Sequence, residues 1–322
     1  MLSRLAFNIT MRMIAGKQEA NLDKFHKLIQ EVLQLGISPN IGDFFPSLQW
    51  VEYFRGCKMK LTKLATEIDA FLQGVIDEYR RNKDIFERNK NYTMISQLLS
   101  LQESQPQYYT DDIIKGLLQD MILGATNAPV TTMEWTMSHL LNNLNALEKI
   151  KAELDFHVGH DKLLNEADLP KLHYLQNVIF ESLRLSPPVP LLVPHLSSDK
   201  CKIGGYEIPE DTILLVNVWA IHRDPKLWAE ATSFKLERFE NGKKIEGYYK
   251  MLPFGLGRRS CPGMDLGHRI VGLALGSLIQ CFEWKRVGLE KIDMSEGKSL
   301  NLLKAEPLEA LLRARKIAKK LL

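Results

Sequence analysis

From Thr110 to about Leu144 the chain keeps apolar residues at helical spacing, in pairs at Ile113/Ile114, Leu117/Leu118 and Met121/Ile122. Some 35 residues at 1.5 Å each predict a helix roughly 50 Å long, enough to cross a large domain. Thr110 is placed to cap it. Asp111 and Asp112 fall in the first turn, where the helix dipole favours negative charge. The middle is unusual: "LGATNAPVTT" collects Gly, Asn, Pro and three threonines where a buried helix would be plain. Beyond it, Asn145 with Glu148 three residues on predicts a capping box for the next helix.

The rest of the 322 residues predicts helices around this one and a minor β part. Residues 17–90 read as helices broken by "GISPNIGDFFPSLQW", and Leu61, Leu64, Ile68, Phe71, Leu72 and Ile76 form one amphipathic face. "DLPKLHYLQNVIFESLRLSPP" is a helix stopped by Pro187 and Pro188. "KIGGYEIPEDTILLVNVWAI" has two turns and a β-rich run at 212–218, and residues 264–282 return to helix. Without repeats or low-complexity linkers, this is a mainly α protein with a small β region, in one domain over 1–322. Its helical part covers about 1–187 and 261–322, its β part about 188–260.

Composition narrows the function classes. Hydrophobic content of 45%, charged content of 25% and a net charge of +3 are ordinary for a globular protein and give no warrant for a nucleic-acid partner. The basic end "RARKIAKKLL" reads as a solvated helix face. The start, "MLSRLAFNITMRMIAGK", is too interrupted for a leader or a spanning helix, and no stretch reaches the about 18 apolar residues a membrane span needs. The four cysteines, Cys57, Cys201, Cys261 and Cys281, form no CxxC and no regular spacing, so neither a zinc knuckle nor a disulfide scaffold is expected.

Cys261 stands in "PFGLGRRSCPG", between three glycines and beside two arginines. A buried structural thiol is the plain reading, but it needs neither Gly255, Gly257 and Gly263 nor Arg258 and Arg259. Gly255-Leu-Gly257 is a weak dinucleotide signal, because the third glycine of that motif falls at Ser260. A nucleophile needs a base, and His268 lies roughly 10 Å away by helical rise. The fourth reading is a thiolate axial ligand to haem iron, which requires only one sulfur. The glycines let the loop fold back, the following helix favours thiolate over thiol, and arginine supplies counter-charge for the haem propionates.

"FGLGRRSCPG" resembles the haem-binding signature of the cytochrome P-450 superfamily, matched at Phe254, Gly257, Arg259, Cys261 and Gly263. Two further signatures stand upstream in the family's order. "FESLRL" supplies Glu181 and Arg184; "FKLERFE" supplies Glu237, Arg238 and Phe239, with Leu236 where the family usually has proline. The resemblance implies that Glu181, Arg184 and Arg238 form a buried charged triad behind the haem loop. Read alone, Glu181 and Arg184 would be an ordinary solvated i,i+3 pair. His195, after the SPPVP turn, matches a propionate-contacting position in related plant sequences; its alternative is a surface loop histidine. "GGYEIPEDTILLVNVWAIHRDPKLW" and "CFEWKR" are similar to plant flavonoid and isoflavone hydroxylases of this superfamily.

The resemblance implies a P-450 fold lacking its N-terminal part, including the membrane anchor. It also implies haem as cofactor, a reductase flavoprotein passing NADPH-derived electrons, O2 and a small aromatic or phenolic substrate. The location would be the cytosolic face of the endoplasmic reticulum membrane. Remaining pocket candidates are residues 124–132, Val189–Val193 and about Leu300–Leu303. One signature departs. The family carries an acid and a threonine on the long helix to deliver protons during oxygen activation. Here "GATNAP" puts Asn127 and Ala128 at those positions, with Thr126 alongside and Pro129 expected to kink the helix. The departure leaves two alternatives open: a haem-thiolate enzyme that does not activate O2, such as one that rearranges a peroxide, or a non-catalytic fragment.

Overall fold

The protein is described by a computed structural model covering residues 2–16, 22–37, 45–48, 57–83, 93–239 and 250–321. It divides into two compact units, Met1–Asn127 and Ala128–Leu322. Most of "GISPNIGDFFPSLQW" lies outside the described residues.

The first unit is helical. It comprises α1 (Leu2–Ala15), α2 (Leu22–Ile37), α3 (Cys57–Arg81), α4 (Met94–Ser104) and the N-terminal half of α5 (Asp111–Asn142). The apolar face expected on α3 is buried at Leu64, Ile68, Leu72 and Ile76, among Phe7, Phe25, Ile95, Ile114 and Leu118. Phe25 stacks on Phe71 with ring centroids 3.8 Å apart. Thr93 and Ser96 cap α4 reciprocally, each side chain bonding the other's backbone N–H. At the start of α5 the Ile113 N–H donates to the Thr110 hydroxyl at 3.3 Å, as the sequence predicts. The Arg80 guanidinium donates to both oxygens of Asp111 and holds that carboxyl well below the usual range.

The second unit continues with α6 (Leu144–His157), a 3-10 turn at Glu166–Lys171 and α7 (His173–Leu185). Four short strands follow: β1 (His195–Leu196), β2 (Cys201–Ile203), β3 (Tyr206–Ile208) and β4 (Ile213–Leu214). After α8 (Val218–Ile221) come α9 (Met264–Cys281), β5 (Phe282–Arg286), β6 (Ala310–Ala314) and α10 (Lys316–Leu321). The N-cap of α6 is Asn143, without a side-chain cap bond, so the capping box expected at Asn145 does not form.

Among the described residues, the strands form three antiparallel pairs. β2 and β3 meet through Gly204 and Gly205, both at positive φ as a two-residue hairpin turn requires. The run 212–218 yields only the short β4, paired with β1, and then turns into α8. The pair β5–β6 lies within 261–322, beyond the β part expected at 188–260. Phe282 and Trp284 stand opposite Ala314 and Leu312, a pairing over residues far apart in sequence that no local pattern announces.

Polar side chains hold α7 and α9. Leu172 caps α7 and has no group to offer its first amides; instead Glu153 of α6 accepts from the Tyr174 and Leu175 N–H groups at 2.7 and 3.0 Å. Gln280, fully buried on α9, accepts from the Leu164 N–H and donates to the Gly159 and Lys162 carbonyls.

Candidate functional site

The odd middle of α5 is accommodated locally. The helix runs on through Pro129, whose missing N–H leaves the Ala125 carbonyl without its helical donor. Thr126 is fully buried and donates its hydroxyl to the Ile122 carbonyl at 2.6 Å; Thr132 and Thr136 do the same to Ala128 and Thr132. Hydroxyls returned to the preceding turn are satisfied without outside partners, so threonines fit a buried helix. Asn127 and Ala128 are half-buried.

On the second unit, Glu181 and Arg184 sit one turn apart on α7, both side chains fully buried. All five guanidinium N–H groups are used. The Nε and one Nη of Arg184 donate to the two Glu181 oxygens at 2.7 and 2.8 Å. The remaining donors reach the carbonyls of His222 and Ala231, both at 2.6 Å, and Ser233 at 3.2 Å. Trp228 covers the guanidinium, 5.2 Å from its ring centroid. Glu181 also accepts from the Lys235 N–H at 2.8 Å and from Arg238 Nε at 3.4 Å. Buried ions are tolerable only when every lone pair and proton finds a partner, and this arrangement supplies them. Leu236, in place of the expected proline, is buried in the 3-10 turn Leu236–Arg238 that carries Arg238. Sequence reading identifies the three charged residues but not the carbonyls of His222, Ala231 and Ser233, because a backbone acceptor leaves no mark on residue type.

The cysteine loop is a tight fold-back. The Cys261 N–H donates to the Phe254 carbonyl at 2.8 Å, closing residues 254–261 on themselves. Gly255 and Gly257 take φ of +70° and +75°, which side chains with a Cβ rarely adopt. Gly257–Arg259 form a 3-10 turn, and Gly263 immediately precedes α9. The Phe254 ring packs against His268, whose other side meets Phe180 at 5.1 Å. His268, pushed down in pKa by burial, is therefore part of the packing under the loop. His195 stands on β1 opposite Leu214 and is exposed.

Cys261 itself is exposed, as are Arg258 and Arg259, and no carboxylate pairs with either arginine among the described residues. Cys201 is exposed within the β2–β3 hairpin, with no helix start beside it, Cys281 is buried with its thiol pKa raised by that burial, and the side chain of Cys57 lies outside those described. Among the described residues no group of three or more His, Cys, Asp or Glu side chains could hold a metal ion. A lone exposed sulfur is the wrong donor set for a bare ion. It suits an iron that arrives in its own ligand frame and needs one axial thiolate, with unpaired arginines for that frame's acidic groups. Elsewhere in the unit, the turn after α7 is joined to a distant segment: the Leu302 N–H donates to the Pro188 carbonyl at 2.9 Å, and the Leu302 carbonyl accepts from Trp135 at 2.6 Å.

A mainly helical fold with an exposed cysteine on a glycine loop and a buried Glu–Arg cluster is the arrangement that the cytochrome P-450 resemblance implies. The cytochrome P450 family model matches residues 1–312, and the chain belongs to that family, whose cofactor is haem. Among curated relatives, a cytochrome P450 81Q32 of Catharanthus roseus is 53% identical over 99% of this chain and 64% of its own length. An isoflavone 2'-hydroxylase of Glycyrrhiza echinata is 48% identical over 98% of the chain and 64% of its own length. The chain thus spans about 64% of the curated relatives it matches. A zebrafish cytochrome P450 solved with progesterone has the same fold, with a TM-score of 0.81 and 24% identity over 98% of this chain and 70% of that one.

Proposed function

We propose that this chain carries the haem-thiolate centre of a plant-type monooxygenase that hydroxylates a small aromatic or phenolic compound of flavonoid or isoflavone type. The observation that carries the reading is the lone, exposed Cys261 on a loop closed by its own N–H. Cys261 would be the axial ligand, Arg259 and His195 would face the propionates, and Phe254, Gly257 and Gly263 would shape the loop. Haem, when bound, supplies the oxidative chemistry; the protein's share is to hold, orient and supply protons. Electrons would come from NADPH through a reductase flavoprotein docking near the cysteine loop, at the cytosolic face of the endoplasmic reticulum membrane. No described helix is long and apolar enough to cross a membrane.

A second reading, a haem-thiolate enzyme that leaves O2 inactive, is favoured by Asn127 and Ala128. The amide cannot ionise, alanine has no hydroxyl, and the nearby Thr126 already donates its proton to Ile122. The test is reduced-plus-CO absorption of the purified protein, followed by NADPH consumption with an isoflavone. A thiolate-type band with hydroxylated product supports the first reading. The same band without NADPH-dependent product supports the second, and a protein that takes up no haem removes both.

A further inference from the structure

His222 lies at the end of α8, fully buried, and no site role is assigned to it above. Its ring joins two parts of the second unit. Nδ1 lies 3.2 Å from the Arg184 carbonyl, and Nε2 lies 2.9 Å from the Leu252 amide. A carbonyl only accepts and a backbone N–H only donates. The tautomer is therefore fixed: Nδ1 carries the proton and donates to Arg184, while Nε2 is bare and accepts from Leu252. The His222 carbonyl accepts in turn from the Arg184 guanidinium at 2.6 Å, so this residue is bound to Arg184 twice.

From Leu252 the bonds run on into the cysteine loop. The Leu252 carbonyl accepts from the Gly255 N–H at 3.1 Å, and the Phe254 carbonyl accepts from the Cys261 N–H at 2.8 Å. We propose that His222 is a positioning residue: its neutral, tautomer-locked ring fixes the start of the Cys261 loop against the Glu181–Arg184 core, and thereby the placement of the thiolate. The proposal rests on the reading of Cys261 as the haem ligand. A protonated ring would turn the acceptor Nε2 into a donor facing a donor. Burial, with Arg184 and Arg223 close by, holds the ring's pKa down at about 4 and keeps it neutral.

The test compares His222→Phe, which keeps the ring and removes both bonds, with His222→Gln, which restores one donor and one acceptor. Amide hydrogen exchange is read by mass spectrometry on the 322-residue chain, in peptides covering residues 250–261 and, as a control, α6. We expect exchange of residues 250–261 to quicken roughly tenfold in the Phe variant, the effect of one lost hydrogen bond, with α6 unchanged and most of the protection regained in the Gln variant. Haem retained per chain should follow the same order. Unchanged exchange at 250–261 in the Phe variant overturns the proposal, as does equal loss in both variants, which would mean the ring only fills space. If the Phe variant unfolds throughout, the Gln variant decides: a folded Gln variant with wild-type protection at 250–261 supports the proposal, and one without it overturns it. A loop that loosens as expected in a protein that binds no haem would leave the positioning intact and instead remove the haem-ligand reading.

Discussion

The cysteine loop with its charged support and the middle of α5 are both places where special residues replace plain ones, and they resolve the cost in opposite ways. Under the loop, charges are buried and satisfied by groups far along the chain: Arg184 uses five donors on one carboxylate and three carbonyls, and Glu181 takes in Lys235 and Arg238 as well. In α5, Thr126, Thr132 and Thr136 turn their hydroxyls back to carbonyls one turn earlier. The first arrangement is a long-range network whose parts fail together. The second is local, so its residues can change at little cost to the fold, and it is there that the resemblance sets Asn127 and Ala128 against an acid and a threonine. On the proposed reading, the binding residues stand where the structure depends on them, and the altered proton-handling positions stand where it does not.

The sharpest way to break this comparison is Cys261→Ala. Haem incorporation should be lost or the spectrum become non-thiolate, while Cys201→Ala and Cys281→Ala leave it unchanged, because neither of those thiols lies on a fold-back loop ahead of a helix and one is buried. A thiolate band that survives in the Cys261 variant would end the ligand assignment.

Glu181→Ala comes next. It leaves the buried Arg184 and the nearly buried Arg238 without their shared carboxylate, and an uncompensated buried charge costs roughly 3–5 kcal/mol. Thr126→Ala, removing a bond internal to a helix, should cost about 1 kcal/mol. Chemical denaturation measures both. Equal losses would erase the distinction between network and local satisfaction.

How far each region can be read in the sequence follows the same division. Cys261 with its glycines, and Glu181 with Arg184 inside an apolar run, are dense local patterns, so both stand out in the sequence. The partners of Arg184 lie 38, 47 and 49 residues away and are main-chain carbonyls, which any residue could provide. The Thr110 cap of α5 is local and legible. Glu153 capping α7 from another helix is not, and neither is β6 pairing with β5. The threonines of α5 look anomalous in sequence only because their hydroxyl acceptors, four residues back, are invisible there.

Acid should weaken the long-range region before the local one. His222 and His139 are both buried and neutral. Burial is the main cause for each; Arg184 and Arg223 add to it for His222, and Lys304, Arg223 and Arg184 for His139. His139 is stacked on Phe234 and bonded to Ser186, with its pKa near 3, and His222 has its pKa near 4. Both folded-state values lie below the ordinary 6.5, so the unfolded chain takes up protons first as pH falls. Stability is then complete above about pH 6.5 and declines toward pH 4 by on the order of a few kcal/mol. His139→Phe should flatten the part of this slope that belongs to His139. Denaturation midpoints that do not move between pH 7 and pH 4.5 would show that these rings titrate normally.

The smallest expected effect lies in α5 and tests whether its changed residues have lost a function or found a substitute. Without an acid and a hydroxyl, proton delivery during oxygen activation should be slow, and reducing equivalents should leave as peroxide. General acid–base assistance is commonly worth 10²–10⁴-fold, but water supplies part of it, so the coupling of NADPH to product should rise only several-fold on repair. The repair is Asn127→Asp with Ala128→Thr, made in a chimera completed with the part of the Catharanthus relative that this chain does not match, and read as product and peroxide per NADPH. Because this stretch of helix is satisfied locally, the double change should leave the denaturation midpoint almost unmoved, unlike any change at Glu181. If the unrepaired chimera already couples efficiently, Thr126 is the first candidate for the substitute. Its hydroxyl would have to release the Ile122 carbonyl to donate elsewhere. Thr126→Val, which keeps the shape and removes the hydroxyl, should then abolish the coupling that the Asn127 and Ala128 positions no longer explain.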